Sequence, residues 1–121
     1  MPSLFEPRAR TTNFYIITLL AVLSFVGSVG WAGSASAPVQ VSQCGRDFQP
    51  NQISIQRGNT VQIVNDDADL LHHAYVSSDK FNFDSNDIEP GGKVDIKFPV
   101  AGDFNVLCGI HPKMKLMVHV E

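Results

Sequence analysis

The chain has 121 residues, enough for a single domain. Nine Lys+Arg stand against 12 Asp+Glu, a net charge of −3. That balance argues against a nucleic-acid binder, which carries a basic patch.

Residues 1–37 differ from the rest. Arg8 and Arg10 precede an apolar run of about 19 residues from Phe14 to Ala32, followed by the small residues GSASA and then Pro38. A basic start, an apolar stretch and small residues make an export signal. The run is also near the minimum length for a membrane span, so an uncleaved N-terminal anchor stands as the alternative to a cleaved signal peptide. In both cases Arg8 and Arg10 stay inside and the remainder is placed outside the cytoplasm. Residues 38–121, without Arg8, Arg10 and Glu6, carry 7 Lys+Arg and 11 Asp+Glu in 84 residues. A core that small usually gains from a disulfide or a metal.

From Pro38 onward, helix signals are nearly absent and short alternating runs dominate. VQVS opens the domain; ISIQ follows Pro50; Arg57-Gly58-Asn59 turns the chain into TVQIV, which ends in the acidic loop NDDAD. HHAYV is the next strand, FNFDSND reads as irregular, and EPGG is a turn. KVDIKF alternates, with Val94, Ile96 and Phe98 on one face. PVAGD turns again, and FNVLC and KLMVHV are the last strands. Seven or eight short strands at this spacing predict an all-β sandwich.

The segment CGIHPKM, residues 108–114, places a thiol, an imidazole and a thioether three residues apart. Strand parity puts Cys108 on the apolar face of Phe104 and Val106. Met114 continues the parity of Leu116, Val118 and Val120, while Met117 and His119 point the other way. Cys108 and Met114 therefore approach one interior point from the two sides of a tight loop holding His111. Two His and one Cys with a weak axial Met is the blue-copper electron-transfer arrangement. The second His comes from LLHHAYV. His72 shares a face with Ala74 and Val76, a better core face than His73 with Tyr75 and Ser77, so His72 is the expected ligand and His73 and His119 are solvated. The competing reading of the two cysteines is a Cys44–Cys108 disulfide, the commonest fate of a cysteine pair in an exported protein. It leaves Cys-x-x-His-x-x-Met, directly after an inward strand, to chance. With Cys108 on a metal, Cys44 is a buried inert thiol or a reactive odd one.

Over nearly all of residues 38–121 the chain resembles the cupredoxin family, the small blue copper proteins of the amicyanin, pseudoazurin and plastocyanin kinds. CGIHPKMKLMVHV resembles the family's ligand loop before the last strand. LHHAYV resembles the strand that opens on a ligand His, with His73 where the family carries an Asn that ties the ligand loops. FQPNQISIQRGNTVQIVN and EPGGKVDIKFPVAGDFNVLC resemble its earlier and later strands. The resemblance implies a Greek-key β-sandwich of about eight strands. It also implies one type 1 copper held by His72, Cys108, His111 and Met114, and one-electron transfer between redox partner proteins.

The expected protein is thus a monomeric periplasmic electron carrier with no catalytic residues, touching the membrane only if residues 1–37 remain attached. A copper carrier or storage protein is the alternative; such proteins commonly use open Met- or His-rich ligand sets. A copper enzyme needs an open metal position, and His73 and His119 are the only spare histidines. A metal-free, disulfide-linked binding sandwich is the remaining reading. The acidic residues before His72, namely Asp66, Asp67 and Asp69, with Asp79, Asp84, Asp87 and Glu89 beyond it, read as solvated loops, with steering of a basic partner as the functional alternative.

Overall fold

The computed structural model describes Gly30, Gly33 and residues 36–121. The expected export segment, residues 1–37, lies almost entirely outside the described residues. Nine strands form among the described residues: β1 Val39–Cys44, β2 Asp47–Gln49, β3 Gln52–Ile55, β4 Thr60–Asn65, β5 His72–Ser77, β6 Asn82–Ile88, β7 Lys93–Lys97, β8 Gly102–Leu107 and β9 Lys115–Val120. They make two mixed sheets, β2-β1-β4-β7 and β3-β9-β8-β5-β6, with parallel pairs at β1–β4 and β3–β9. This is the all-β sandwich that the alternating runs predict, with seven of its strands where those runs lie.

Alternation decides which face goes inward. Val61 and Ile63 on β4, Ala74 and Val76 on β5, Phe104 and Val106 on β8, and Leu116, Val118 and Val120 on β9 are all buried, as period-2 burial requires. Each fully buried Val, Leu, Ile or Phe contributes about 1.5–3 kcal/mol of transfer free energy. Phe81, Phe98 and Phe104 meet edge-on or tilted, with centroids 4.9–5.8 Å apart.

Two strands escape the sequence reading. β2 is only three residues long. It is folded back on β1 by a two-residue turn, Gly45-Arg46, with φ of 62° and 64°. Turns of this hand are usually signalled by Asn-Gly or Asp-Gly, and Gly-Arg hides it. β6, read as irregular, is a seven-residue strand carrying a register shift opposite His73–Tyr75. Phe83 and Ser85 keep one parity, Asn86 takes φ 56°, and Ile88 then turns inward on the other. One extra residue of this kind is a β-bulge, and it erases the alternation that sequence reading depends on. Ser85 Oγ accepts the Ala74 N–H at 2.9 Å, so the amide that faces the irregularity is still paired.

The sheet register gathers the loops that matter at one end. β5 begins at His72, β8 ends at Leu107 opposite Tyr75, and β9 begins at Lys115 opposite Leu107. Two fully buried amides brace that end across the sandwich. Gln43 of β1 donates to the His73 carbonyl of the other sheet at 3.0 Å. Asn65, at the end of β4, donates to the Leu70 carbonyl at 2.7 Å and the Ile88 carbonyl at 2.8 Å. At the far face of the last strand, Asp103 and His119 form an exposed cross-strand pair at 2.6 Å, which holds the His119 imidazole above its usual pKa.

Asn65→Ala leaves two inner carbonyls without their donor and opens a void. A buried acceptor stripped of its partner costs about 1–3 kcal/mol. The variant should lose about 2–4 kcal/mol in urea unfolding, with an unchanged m-value, while Gln40→Ala on the exposed face of β1 should change stability by less than about 0.5 kcal/mol.

Candidate metal centre

The site is built from the start of β5 and the loop between β8 and β9. His72 is completely buried, and Cys108 and Met114 are each 1% exposed. His111 is half-buried. One nitrogen of His72, the sulfur of Cys108 and one nitrogen of His111 lie within 4.8 Å of one another. Cys108 Sγ is 3.8 Å from His111 Nδ1, and the His72 and His111 rings meet edge-on at 5.1 Å. The strand parity is as expected: His72 is inward with Ala74 and Val76, and His73 lies on the other face.

The loop closes tightly. The Met114 N–H donates to the His111 carbonyl at 2.9 Å, returning the chain after Pro112 and leaving Met114 buried at the head of β9. The thioether thus lies on the inner side of the loop whose other arm carries Cys108, as its shared parity with Leu116 predicts.

The two histidines sit in different electrostatic settings. His72 Nε2 is 2.5 Å from Asp67 Oδ2, whereas His72 Nδ1 is buried with no hydrogen-bond partner. A buried ring nitrogen without a partner costs free energy unless something binds it. The Gly45 amide, then the His72 ring, hold the Asp67 carboxyl below the usual carboxylate range. Burial depresses the His111 imidazole, with repulsion from His72 and Arg46 adding to it and Asp67 opposing. A depressed imidazole stays neutral, which is the form that binds metal.

Residues that sequence reading set aside prove to be part of the surroundings. Asp67 is not a solvated loop acid. It accepts from Gly45 N–H and His72, and its own amide donates to Asn65 Oδ1. Asp66 likewise accepts from Ser42 Oγ. The only available signal was position: Asp67 lies five residues before an inward His, in the loop that enters its strand. His73 is not freely solvated either. Its side chain is 20% exposed, Nε2 is 2.6 Å from Asp84, and its ring covers Gly109, where a Cβ would come within 2.5 Å of Nδ1. The ring thus packs one ligand-bearing segment against the other. Cys44 and Cys108 are both free, so the disulfide reading falls.

The donors fit copper. One thiolate sulfur and two imidazole nitrogens, with a soft thioether-bearing side chain buried beside them, is a set that suits that ion, and the unpartnered Nδ1 supplies an open bond. A β-sandwich with such a donor set buried at one end of its strands is the architecture of a small copper protein. The chain belongs to the cupredoxin-like domain family, whose model matches residues 15–120, and copper is its cofactor. It is similar in structure to the copper-containing nitrite reductase of Thermus scotoductus SA-01, with a TM-score of 0.65 and 32% identity. The match covers 70% of this chain, which spans only 22% of the reductase chain. Two amicyanin variants in their Cu(I) forms match with TM-scores of 0.64 and 0.65 at 19% and 20% identity. Each match covers 72% of this chain and 85% of theirs. At that identity they establish the shared fold. No curated protein matches the chain in sequence.

Gly109→Ala forces a methyl group into the His73 ring and should cost about 1–3 kcal/mol, the usual range for overpacking. In a His73→Ala background the same change should cost less than half as much, because the obstructing ring is gone. Equal costs in the two backgrounds, read from denaturant melts, would show that the His73–Gly109 contact does not hold these segments together.

Proposed function

We propose that the protein is an exported one-electron carrier, with His72, Cys108 and His111 as the strong ligands of one type 1 copper and Met114 as its weak axial ligand. The observation that carries this reading is a fully buried His72 ring whose Nδ1 has no partner and which offers a nitrogen within 4.8 Å of a buried cysteine sulfur and of a second imidazole. Bound copper supplies a one-electron couple. The chain supplies the rest. Burial of Cys108, Met114 and His72 keeps water from the donors, and the braced ends of β4 and β5 keep His72 where it is. Both favour a site that changes little between oxidation states. That is what a carrier needs, whereas a copper donor needs ligands that open.

Access is through His111. It lines a surface cleft with Arg46, Ile110, Pro112 and Lys113, and Ile110 is 41% exposed. This is the face for a redox partner: apolar at the centre with two cations beside it, on a chain of net charge −3. Of the acids before His72, Asp67 is engaged with Gly45 and His72, whereas Asp66 and Asp69 stay exposed. The two cations beside the cleft fit an acidic partner surface. The basic-then-apolar run near the start of the sequence supports export and a periplasmic location. A catalytic role would need an exchangeable position, and among the described residues His72, Cys108 and His111 are the one cluster of its kind.

The full chain with Cu(II) should bind one copper and turn intensely blue or green through thiolate-to-copper charge transfer. Cys108→Ser should abolish the colour and Cys44→Ser should keep it. His72→Ala should lose the strong site and His73→Ala should retain it. Met114→Gln should keep the colour and lower the potential, since an amide oxygen favours Cu(II). Met114→Leu should raise it, and exposed Met117→Leu should leave it unchanged. A colourless Cys44→Ser variant, or a potential that follows Met117 rather than Met114, would refute the assignment.

The cations at the cleft give a separate test with small redox probes. Electron exchange with anionic hexacyanoferrate should slow as salt is added, despite the negative net charge. Replacing both Arg46 and Lys113 by Glu should slow it about tenfold at low salt and reverse the salt dependence, which stopped-flow absorbance measures directly.

A further inference from the structure

Ligand chemistry asks only for a nitrogen from His72. It does not ask for a charge behind the ring, yet the structure puts one there. The Asp67 side chain is 13% exposed, and its Oδ2 is 2.5 Å from the Nε2 of a ring that is 0% exposed. Its Oδ1 accepts the Gly45 N–H at 3.0 Å, and its backbone N–H donates to Asn65 Oδ1 at 3.0 Å. Asn65 is itself fully buried and bonded to two carbonyls. The carboxylate is therefore positioned from one sheet, by the β1–β2 turn through Gly45 and by the end of β4 through Asn65, and it reaches the His72 ring of the other sheet. Two donors converge on two oxygens. An amide side chain offers one oxygen and would turn an NH2 group toward one of those donors, so the position is made for a carboxylate.

A partner on the outer nitrogen of a metal-binding imidazole fixes its tautomer and orientation and raises its basicity. A backbone carbonyl would fix the tautomer without adding charge. A carboxylate does both, and its negative charge sits against a fully buried ring, across from the ring's unpartnered Nδ1. We propose that Asp67 is a positioning and tuning residue of this centre. It holds His72 with Nε2 protonated and Nδ1 presented as an acceptor before any metal arrives, and its charge favours the oxidised, more highly charged ion. The proposal rests on the reading of His72 as a copper ligand, and the experiment below separates the two.

The first arm uses metal-free, full-length protein with 15N-labelled histidine at pH 8. His72 should show a protonated Nε2 and a bare Nδ1 by NMR. A protonated Nδ1 in the native protein overturns the proposal, and this arm needs neither copper nor a variant. The second arm compares copper-loaded Asp67→Asn and Asp67→Glu with the native protein by titration and voltammetry. Loss of the charge in Asp67→Asn should weaken Cu(II) binding about tenfold more than Cu(I) binding. For a one-electron couple, that equals a rise in potential of about 59 mV. Asp67→Glu keeps the charge and should return the potential most of the way to the native value, which a purely structural role for the side chain would not produce. An Asp67→Asn protein that binds copper at an unchanged potential overturns the tuning role. Failure of the native protein to take up copper sinks the electron-carrier reading instead, and the tautomer of metal-free His72 then decides the positioning role of Asp67 by itself.

Discussion

The structure depends on satisfying a fully buried imidazole. His72 has two ring nitrogens and no access to water, so each needs a partner or costs free energy. Asp67 serves one of them, and the other has no partner in a ring that lies beside Cys108 and His111. Much of the local architecture follows from that requirement. The loop after β4 must curl so that an acid five residues upstream reaches back to the ring, and such a curl strips backbone groups of their strand partners. Asn65 takes up the Leu70 carbonyl and the Ile88 carbonyl, and Gln43 takes up the carbonyl of His73. Each of these is a buried polar group placed where an apolar side chain would fill the space but leave a carbonyl orphaned.

His72 and His111 are the same residue type in two environments, and the difference is functional. His72 is enclosed, held through its outer nitrogen, and fixed to strands. His111 is half-exposed on a loop between Ile110 and Pro112, with Arg46 and Lys113 beside it. One imidazole anchors the centre to the fold and the other connects it to the surface. For the electron carrier proposed above, that gives a short route through one edge of an otherwise insulated site. The burial of Cys108 and Met114 closes the remaining directions.

How much of this the sequence discloses depends on whether a feature has a period. Period-2 alternation places seven of the nine described strands and puts His72, Cys108 and Met114 on interior faces with His73 on the other, because inward and outward side chains separate cleanly on a regular strand. The same logic fails where one residue is inserted. The shift in β6 moves Ile88 inward against the parity of Phe83, so the strand looks irregular in one dimension. β2 is too short to have a period at all. Asp67 and His73 were assigned to solvent since polar residues in an acidic loop or on an outward face usually are. Their actual partners, His72, Gly45, Asp84 and Gly109, are brought in by tertiary structure and leave no local trace.

The small domain raises the question of what stands in for the disulfide that its two cysteines do not make. The ligand-bearing segments, the start of β5 and the β8–β9 loop, belong to one sheet, since β5 pairs with β8 and β8 with β9. A metal bound there would tie together strands that are already neighbours. Binding to the folded chain still stabilises it by mass action, but it does not clamp one sheet to the other. That task falls to the groups that cross the sandwich at the same end: Gln43 to the His73 carbonyl, Asn65 to the Ile88 carbonyl, and Asp67 between the Gly45 amide and the His72 ring. None of these three contacts requires a metal. The cross-sheet frame of the centre is therefore closed by the protein's own hydrogen bonds, and the donors are gathered within one sheet of a sandwich already locked. A site held in this way constrains the ion more than the ion constrains the fold.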